Sequence, residues 1–203
     1  VYVTGSKSGF TTNGGTFTMN DNASVTGNIA IGRGTTLDGG GVYVSKGGTF
    51  TMNGNSKVTG NAAYNNISGK GDGGGVYVSS GGKFAMNGEE TSVSKNTATN
   101  SGGGVFVAGT FTVAGSPTVT GNMGNGGAAN NVYLDDTSTY GKSITIGDYG
   151  LKGNAESIGV TTKTEPTAQV PVTIATGSKD LTETDAKKFK SDMDGYAVSV
   201  DKS

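Results

Sequence analysis

The carboxylates are the side chains of this chain that come closest to catalytic chemistry. There are 16 Asp and Glu residues and no histidine or cysteine. That removes the commonest general base, the commonest metal ligand and any thiol nucleophile. Hydrolysis or elimination on a polysaccharide needs paired carboxyl groups facing one bond, or a carboxylate–calcium cluster beside a basic residue. The acidic candidates are Asp38, Asp72, Glu89, Glu90, Asp135 and Asp136. Asp38 and Asp72 each stand directly before a Gly-Gly-Gly run, so like positions in successive repeats bring them near each other. Turn stabilisation is the plainer role for both. Glu89-Glu90 and Asp135-Asp136 are adjacent pairs, and in extended chain their members point to opposite faces. Arg33, the single arginine, lies in a glycine-rich loop. The expectation is therefore no catalytic residues, no cofactor and no metal centre, with a carbohydrate-active enzyme as the alternative. The Gly-Gly-x-Gly-x-Asp calcium nonapeptide is missing, though a loop ion is compatible with the composition. The glycine triplets are not followed by the Lys-Ser/Thr of a phosphate cradle and read as turns.

What must position these residues is a repeat. Gly-Gly-Gly-Val-(Tyr/Phe)-Val, Thr-Phe-Thr-Met-Asn and Val-Thr-Gly-Asn recur in that order. They occur as Gly39–Val44, Thr49–Asn53 and Val58–Asn61, then Gly73–Val78, Phe84–Asn87 and Val93–Asn96, then Gly102–Val107, Thr110–Ala114 and Val119–Asn122. An earlier copy lies in Val1–Val3, Thr16–Asn20 and Val25–Asn28, and a last opening phrase in Asn131–Leu134. The phenylalanines Phe17, Phe50, Phe84 and Phe111 are spaced by 33, 34 and 27 residues. The variation sits between the third phrase and the next opening one, in loops such as Ala62–Asp72. Fixed phrases with one elastic corner are the signature of a solenoid.

Each phrase alternates with period two and is rich in β-branched and aromatic residues, which predicts strands. The expected fold is all-β: a right-handed parallel β-helix with three-strand coils. Hairpin folds would not repeat the same residues in the same order. Stacking like residues predicts inner ladders Val42/Val76/Val105/Val132, Val44/Val78/Val107/Leu134, Phe17/Phe50/Phe84/Phe111, Met19/Met52/Met86/Val113 and Val25/Val58/Val93/Val119. Asn20/Asn53/Asn87 and Asn28/Asn61/Asn96/Asn122 fall at corners, where amides can bond each other and the turn backbone. With 38 glycines and only 32% hydrophobic residues, a globular core would be thin, but a solenoid needs only a narrow one. The repeat coils span 1–136. Residues 137–203 form irregular final coils and a small C-terminal cap, all within one continuous domain. There, Ile144–Ile146, Ile158–Val160, Val170–Ile174 and Gly195–Val200 read as strands. Thr182–Met193 reads as a helix capped by Thr182 or Thr184.

The formal net charge is −1, and scattered lysines give no footprint for nucleic acid. No apolar run has the length of a membrane span. Beginning at Val1 inside a repeat phrase, the chain reads as a processed product or a fragment of a longer protein.

The pairing of Gly40–Val42, Gly74–Val76 and Gly103–Val105 with Phe17–Asn20, Phe50–Asn53 and Phe84–Asn87 resembles the Gly-Gly-x-Val/Phe-x-x-Asn repeat of the polymorphic outer-membrane protein family. Adhesin-like surface proteins of gut anaerobes are closer still. They share the tandem phrases, an Ile-Gly-Val-Thr-Thr segment like Ile158–Thr162 and a Ser-Asp-x-x-Gly-Tyr segment like that ending at Tyr196. The resemblance implies an exported bacterial cell-surface β-helix, and it supplies no catalytic residues. The fourth coil departs from it, with Ala114 in the asparagine position.

Two surface files follow from the alternation. Tyr2, Tyr43, Tyr77, Phe106 and Tyr133 should form an outward aromatic stripe. Of these, Tyr43, Tyr77, Phe106 and Tyr133 are the candidate ligand contacts, through ring faces and polar edges. Self-stacking is the competing role for the same residues. Thr16/Thr18, Thr49/Thr51 and Thr110/Thr112 form a second file, broken by Lys83 and Ala85. Regular threonine arrays can order water, so an ice-binding solenoid is a further alternative. The leading expectation is a non-catalytic adhesin-like or stalk module. It would bind host extracellular protein or glycan, or project other domains.

Overall fold

The computed structural model describes residues 1–8, 11–32, 37–65, 70–138 and 143–201; Arg33 lies outside them. The fold is an all-β solenoid of parallel sheets. The opening phrases Val42–Val44, Val76–Val78, Val105–Val107 and Val132–Leu134 pair in register, with Tyr2–Val3 on the near side. The second phrases Thr16–Met19, Thr49–Met52, Lys83–Met86 and Thr110–Gly115 continue into Ile144–Leu151 and then Ala175–Gly177. The third phrases Ser24–Thr26, Lys57–Thr59, Ser92–Ser94 and Thr118–Thr120 form another ladder. Ile158–Thr162 joins two of these ladders, because Ile158 pairs with Val119 while Val160 pairs with Val132. One additional hairpin, Gly5–Ser8 with Thr11–Gly14, is antiparallel.

The five inner ladders stack as the repeat requires. Every member from the second coil to Leu134 is buried. Phe50 and Phe84 stack at 4.9 Å between ring centroids, as do Phe84 and Phe111. The ladders also run on into the irregular region: Phe111 onto Ile144, Val113 onto Ile146, and Ile158 onto Phe189. Each such side chain contributes roughly 1.5–3 kcal/mol by burial.

Four segments differ from their sequence reading. Ala62–Asn65, read as the start of a loop, is a strand paired with Ile29–Gly32 and Thr97–Ala98. The early coils therefore carry a fourth strand. Its inward residues include the alanines Ala63 and Ala98, both 1% exposed, and the polar Asn65, which do not show as an apolar period. The helix read over Thr182–Met193 is one turn, Glu183–Ala186. Thr182 and Asp185 form a capping box there, which nucleates the turn. Phe189 instead joins the core as the next rung after Ile158, and that burial outweighs helix propagation. Val170–Ile174 is not a strand. Pro171 has no N–H to give to a ladder, and pairing starts at Ala175. Gly195–Val200 is also not a strand: no neighbour pairs with it among the described residues.

Two buried hydroxyls stack at one corner, Ser56 Oγ and Thr91 Oγ1. Neither has a hydrogen-bond partner among the described residues, and an unpaired buried hydroxyl costs about 1–3 kcal/mol. Thr91→Val keeps the shape and removes that cost, so its urea midpoint is expected at or above that of the parent. A clear drop would show that the hydroxyl has a partner in solution.

Candidate functional site

The glycine triplet places the aromatic file. The first glycine of each, Gly39, Gly73 and Gly102, has φ of +73°, +64° and +64°, a conformation that disfavours side chains. A Cβ on Gly39 would stand 2.9 Å from the Tyr43 Cα, and one on Gly73 would stand 2.8 Å from that of Tyr77. The incoming loop thus lies against the base of each ring. The third glycine clears a different neighbour. A Cβ on Gly41, Gly75 or Gly104 would meet the side-chain nitrogen of Asn61, Asn96 or Asn122 at 3.0, 2.9 and 2.7 Å.

Those asparagines form a continuous amide ladder. Asn28 donates both its backbone N–H and its Nδ2–H to Asn61 Oδ1, each at 2.9 Å. Asn61 donates likewise to Asn96, Asn96 to Asn122 and Asn122 to Asn131. Asn131 donates to the carboxylate of Asp192 at 2.7 and 2.8 Å. The corner amides are buried from Asn61 onward, rather than covering exposed turns. Asp192 was not singled out in the sequence, yet a signal exists. It follows Phe189 by three residues, as Asn61 follows Val58 and Asn96 follows Val93. A carboxylate accepts but cannot donate, so the ladder ends there.

Tyr2, Tyr43, Tyr77, Phe106 and Tyr133 lie in one file, with ring centroids 4.9–5.3 Å apart and planes within 18° of parallel. Their faces are turned to one another. What Tyr43, Tyr77 and Tyr133 offer outward is ring edges and hydroxyls, and all three are half-buried. Phe106 is 9% exposed and contributes little surface. Ser79 beside the Tyr43 phenol and Ser101 beside that of Tyr133 each favour the ionised form. Burial pushes all three phenols above the ordinary tyrosine range, with Asp38 adding to the shift at Tyr43 and Tyr77. A shallow groove of about 400 Å³ opens beside the file, lined by Tyr2, Leu37, Asp38 and Tyr43.

Asp38 and Asp72 are brought together beside this file. The Asp72 N–H donates to Asp38 Oδ1 at 3.3 Å. Asp72 Oδ1 accepts from Asn100 Nδ2 and the Ser101 N–H, both at 2.8 Å. Burial pushes Asp38 up to about 6; the Asp72 N–H opposes this and the Asp72 charge adds to it. Asp72 is raised by burial as well, against the pull of its two donors. Burial also works against the Asp135 carboxylate, but Lys163 at 2.9 Å and the Thr137 hydroxyl override it and hold the group below the usual range. Asp136 accepts from the Thr164 N–H. Glu89 and Glu90 are exposed, with Lys152 3.7 Å from Glu89. They line a second groove of about 510 Å³ with Thr118, Thr120 and Glu156. Among the described residues no trio of Asp or Glu is placed to hold a metal ion.

The raised Asp38 carboxyl has a pH consequence. A carboxyl whose folded pKa exceeds its unfolded value stabilises the fold below the unfolded value, and that stability is lost as pH rises through the folded one. The solenoid is therefore expected to gain stability as pH falls from about 7 to about 4. Asp38→Asn should reduce that slope in urea midpoints measured across the range. An unchanged slope would mean that Asp38 titrates normally.

The threonine file is longer than the phrases show. Thr112 pairs with Thr145 and Thr145 with Thr176, while Lys83 and Ala85 still interrupt it.

No protein-family model, curated protein or solved structure matches this chain. No described helix is long and apolar enough to cross a membrane.

Proposed function

We propose that this chain is a non-catalytic module of a bacterial cell surface. It is a right-handed β-helix that acts as an adhesin-like element or a stalk, contacting host extracellular protein or glycan along the file of Tyr43, Tyr77, Phe106 and Tyr133. The single observation that carries this is the file itself: a stack of rings on a parallel sheet that presents the edges and hydroxyls of Tyr43, Tyr77 and Tyr133, flanked by the Asp38 and Asp72 carboxylates. Because the ring faces are occupied, contact is through edges and hydrogen bonds, the mode in which tyrosine serves protein interfaces. The structural bonds made by Asp38, Asp72, Asp135 and Asp136 support a non-catalytic reading. The break at Lys83 and Ala85 weighs against an ice-ordering face.

A screen of glycans and extracellular-matrix proteins tests the proposal. Tyr77→Phe removes one hydroxyl but keeps the stack, as Phe106 does naturally. It is expected to weaken binding about fivefold or more, the loss of one hydrogen bond. Specific binding that Tyr77→Phe and Tyr77→Ala both leave intact would move recognition off this file.

A further inference from the structure

We propose that the aromatic file is an oxidative cross-linking site, at which Tyr43 couples through ring carbon–carbon bonds to Tyr2 and to Tyr77. The chain has no cysteine, so no disulfide can join its coils. Tyrosine is the remaining side chain here that forms a covalent bond to its own kind on simple oxidation. The file supplies the required approach. Tyr2 and Tyr43 are stacked with centroids 5.1 Å apart and planes 10° from parallel; Tyr43 and Tyr77 are 5.1 Å and 12°. In-register pairing sets like atoms of neighbouring rings side by side. Tyr2 is 67% exposed, so its phenol is accessible to an oxidant. Phe106, stacked next to Tyr77, has no phenol and stops the series before Tyr133. Among the described residues no ring stacks on Tyr64, Tyr149 or Tyr196, although Tyr149 is the most exposed of all at 88%.

The reaction balances with a peroxide as oxidant. Each of two neighbouring phenols gives up one electron and its hydroxyl proton to form a phenoxyl radical. The two radicals join through the carbons ortho to oxygen. The hydrogens on those carbons then shift to the oxygens and restore both rings. Two phenols lose two electrons and two protons in all, and one hydrogen peroxide takes them up to give two water molecules. Each Tyr43 ring has two ortho carbons, so it can bond to both neighbours. Such links close loops between positions 2 and 43 and between 43 and 77. They restrict the unfolded chain as a disulfide does, so the unfolding midpoint should rise.

The test treats the purified chain at low micromolar concentration with a haem peroxidase and hydrogen peroxide. The expected product is a monomer with dityrosine fluorescence, lighter by two hydrogens per link. Its digest should contain peptides joined at Tyr43–Tyr77 and Tyr2–Tyr43. Tyr43→Phe keeps the stack and should abolish most of the monomer signal, whereas Tyr149→Phe should leave it unchanged. The same treatment in urea should lose the pairing preference. The proposal is overturned if monomers carry no dityrosine, if links follow exposure and centre on Tyr149, if Tyr43→Phe keeps the signal, or if the unfolded chain gives the same pairs.

Discussion

Phe84→Ala is expected to lower the unfolding free energy by about 3–5 kcal/mol, the usual cost of truncating a buried aromatic. Phe84 is 1% exposed and lies between Phe50 and Phe111, each at 4.9 Å. Removing it opens a void in the middle of the stack and cuts two ring contacts at once. Both neighbours are held by their own strands, at Phe50 and Phe111, so the gap cannot close by a local shift. Phe84→Leu fills part of the void and should cost clearly less. Urea denaturation read by circular dichroism measures both. A Phe84→Ala loss below 1 kcal/mol would mean that the coils close over the gap, and the rigid-stack picture would fail.

Asn96→Ala is expected to cost about 3 kcal/mol, although it removes only one small polar group. Asn96 is fully buried. Its Oδ1 accepts from the Asn61 N–H and Nδ2–H, and its Nδ2 donates to Val58 O and Asn122 Oδ1. Alanine leaves groups on both sides without partners, and each buried orphan costs about 1–3 kcal/mol. Asn96→Asp keeps the acceptor but turns a carboxylate towards two oxygens, so it should be as harmful at neutral pH. It should recover part of the loss in acid, where protonation restores a donor. Asn87→Ala is the control, because Asn87 sits at an exposed corner. Equal losses at positions 87 and 96 would remove the special standing of the buried ladder.

The five inner ladders were legible because large apolar residues recur at fixed offsets in a parallel stack, where like residues must lie on like residues. The fourth strand at Ala62–Asn65 was not legible. Its inward positions are Ala63 and Asn65, one too small and the other polar, so they leave no hydrophobic period in the sequence. Phe189 shows the opposite failure: its local sequence suits a helix, and only the waiting Ile158 rung makes it a strand. The aromatic residues do fall in one file, and their self-stacking was legible as the competing reading. What alternation could not show is how deep each ring sits: it sends all of them outward, yet Tyr43, Tyr77 and Tyr133 are half-buried and Phe106 is buried.

The sequence by itself determined the solenoid, its inner ladders and the line of the tyrosines, because periodicity fixes which face a side chain takes. The tertiary structure alone decided three other things: that the corner shared by Asp38 and Asp72 is half-buried, that the corner amides bond in one direction, and that Asp192 receives the last of them. These depend on distances between coils and on the polarity of hydrogen bonds. A one-dimensional repeat brings two corners to the same height, but donor and acceptor are assigned only when the backbones meet.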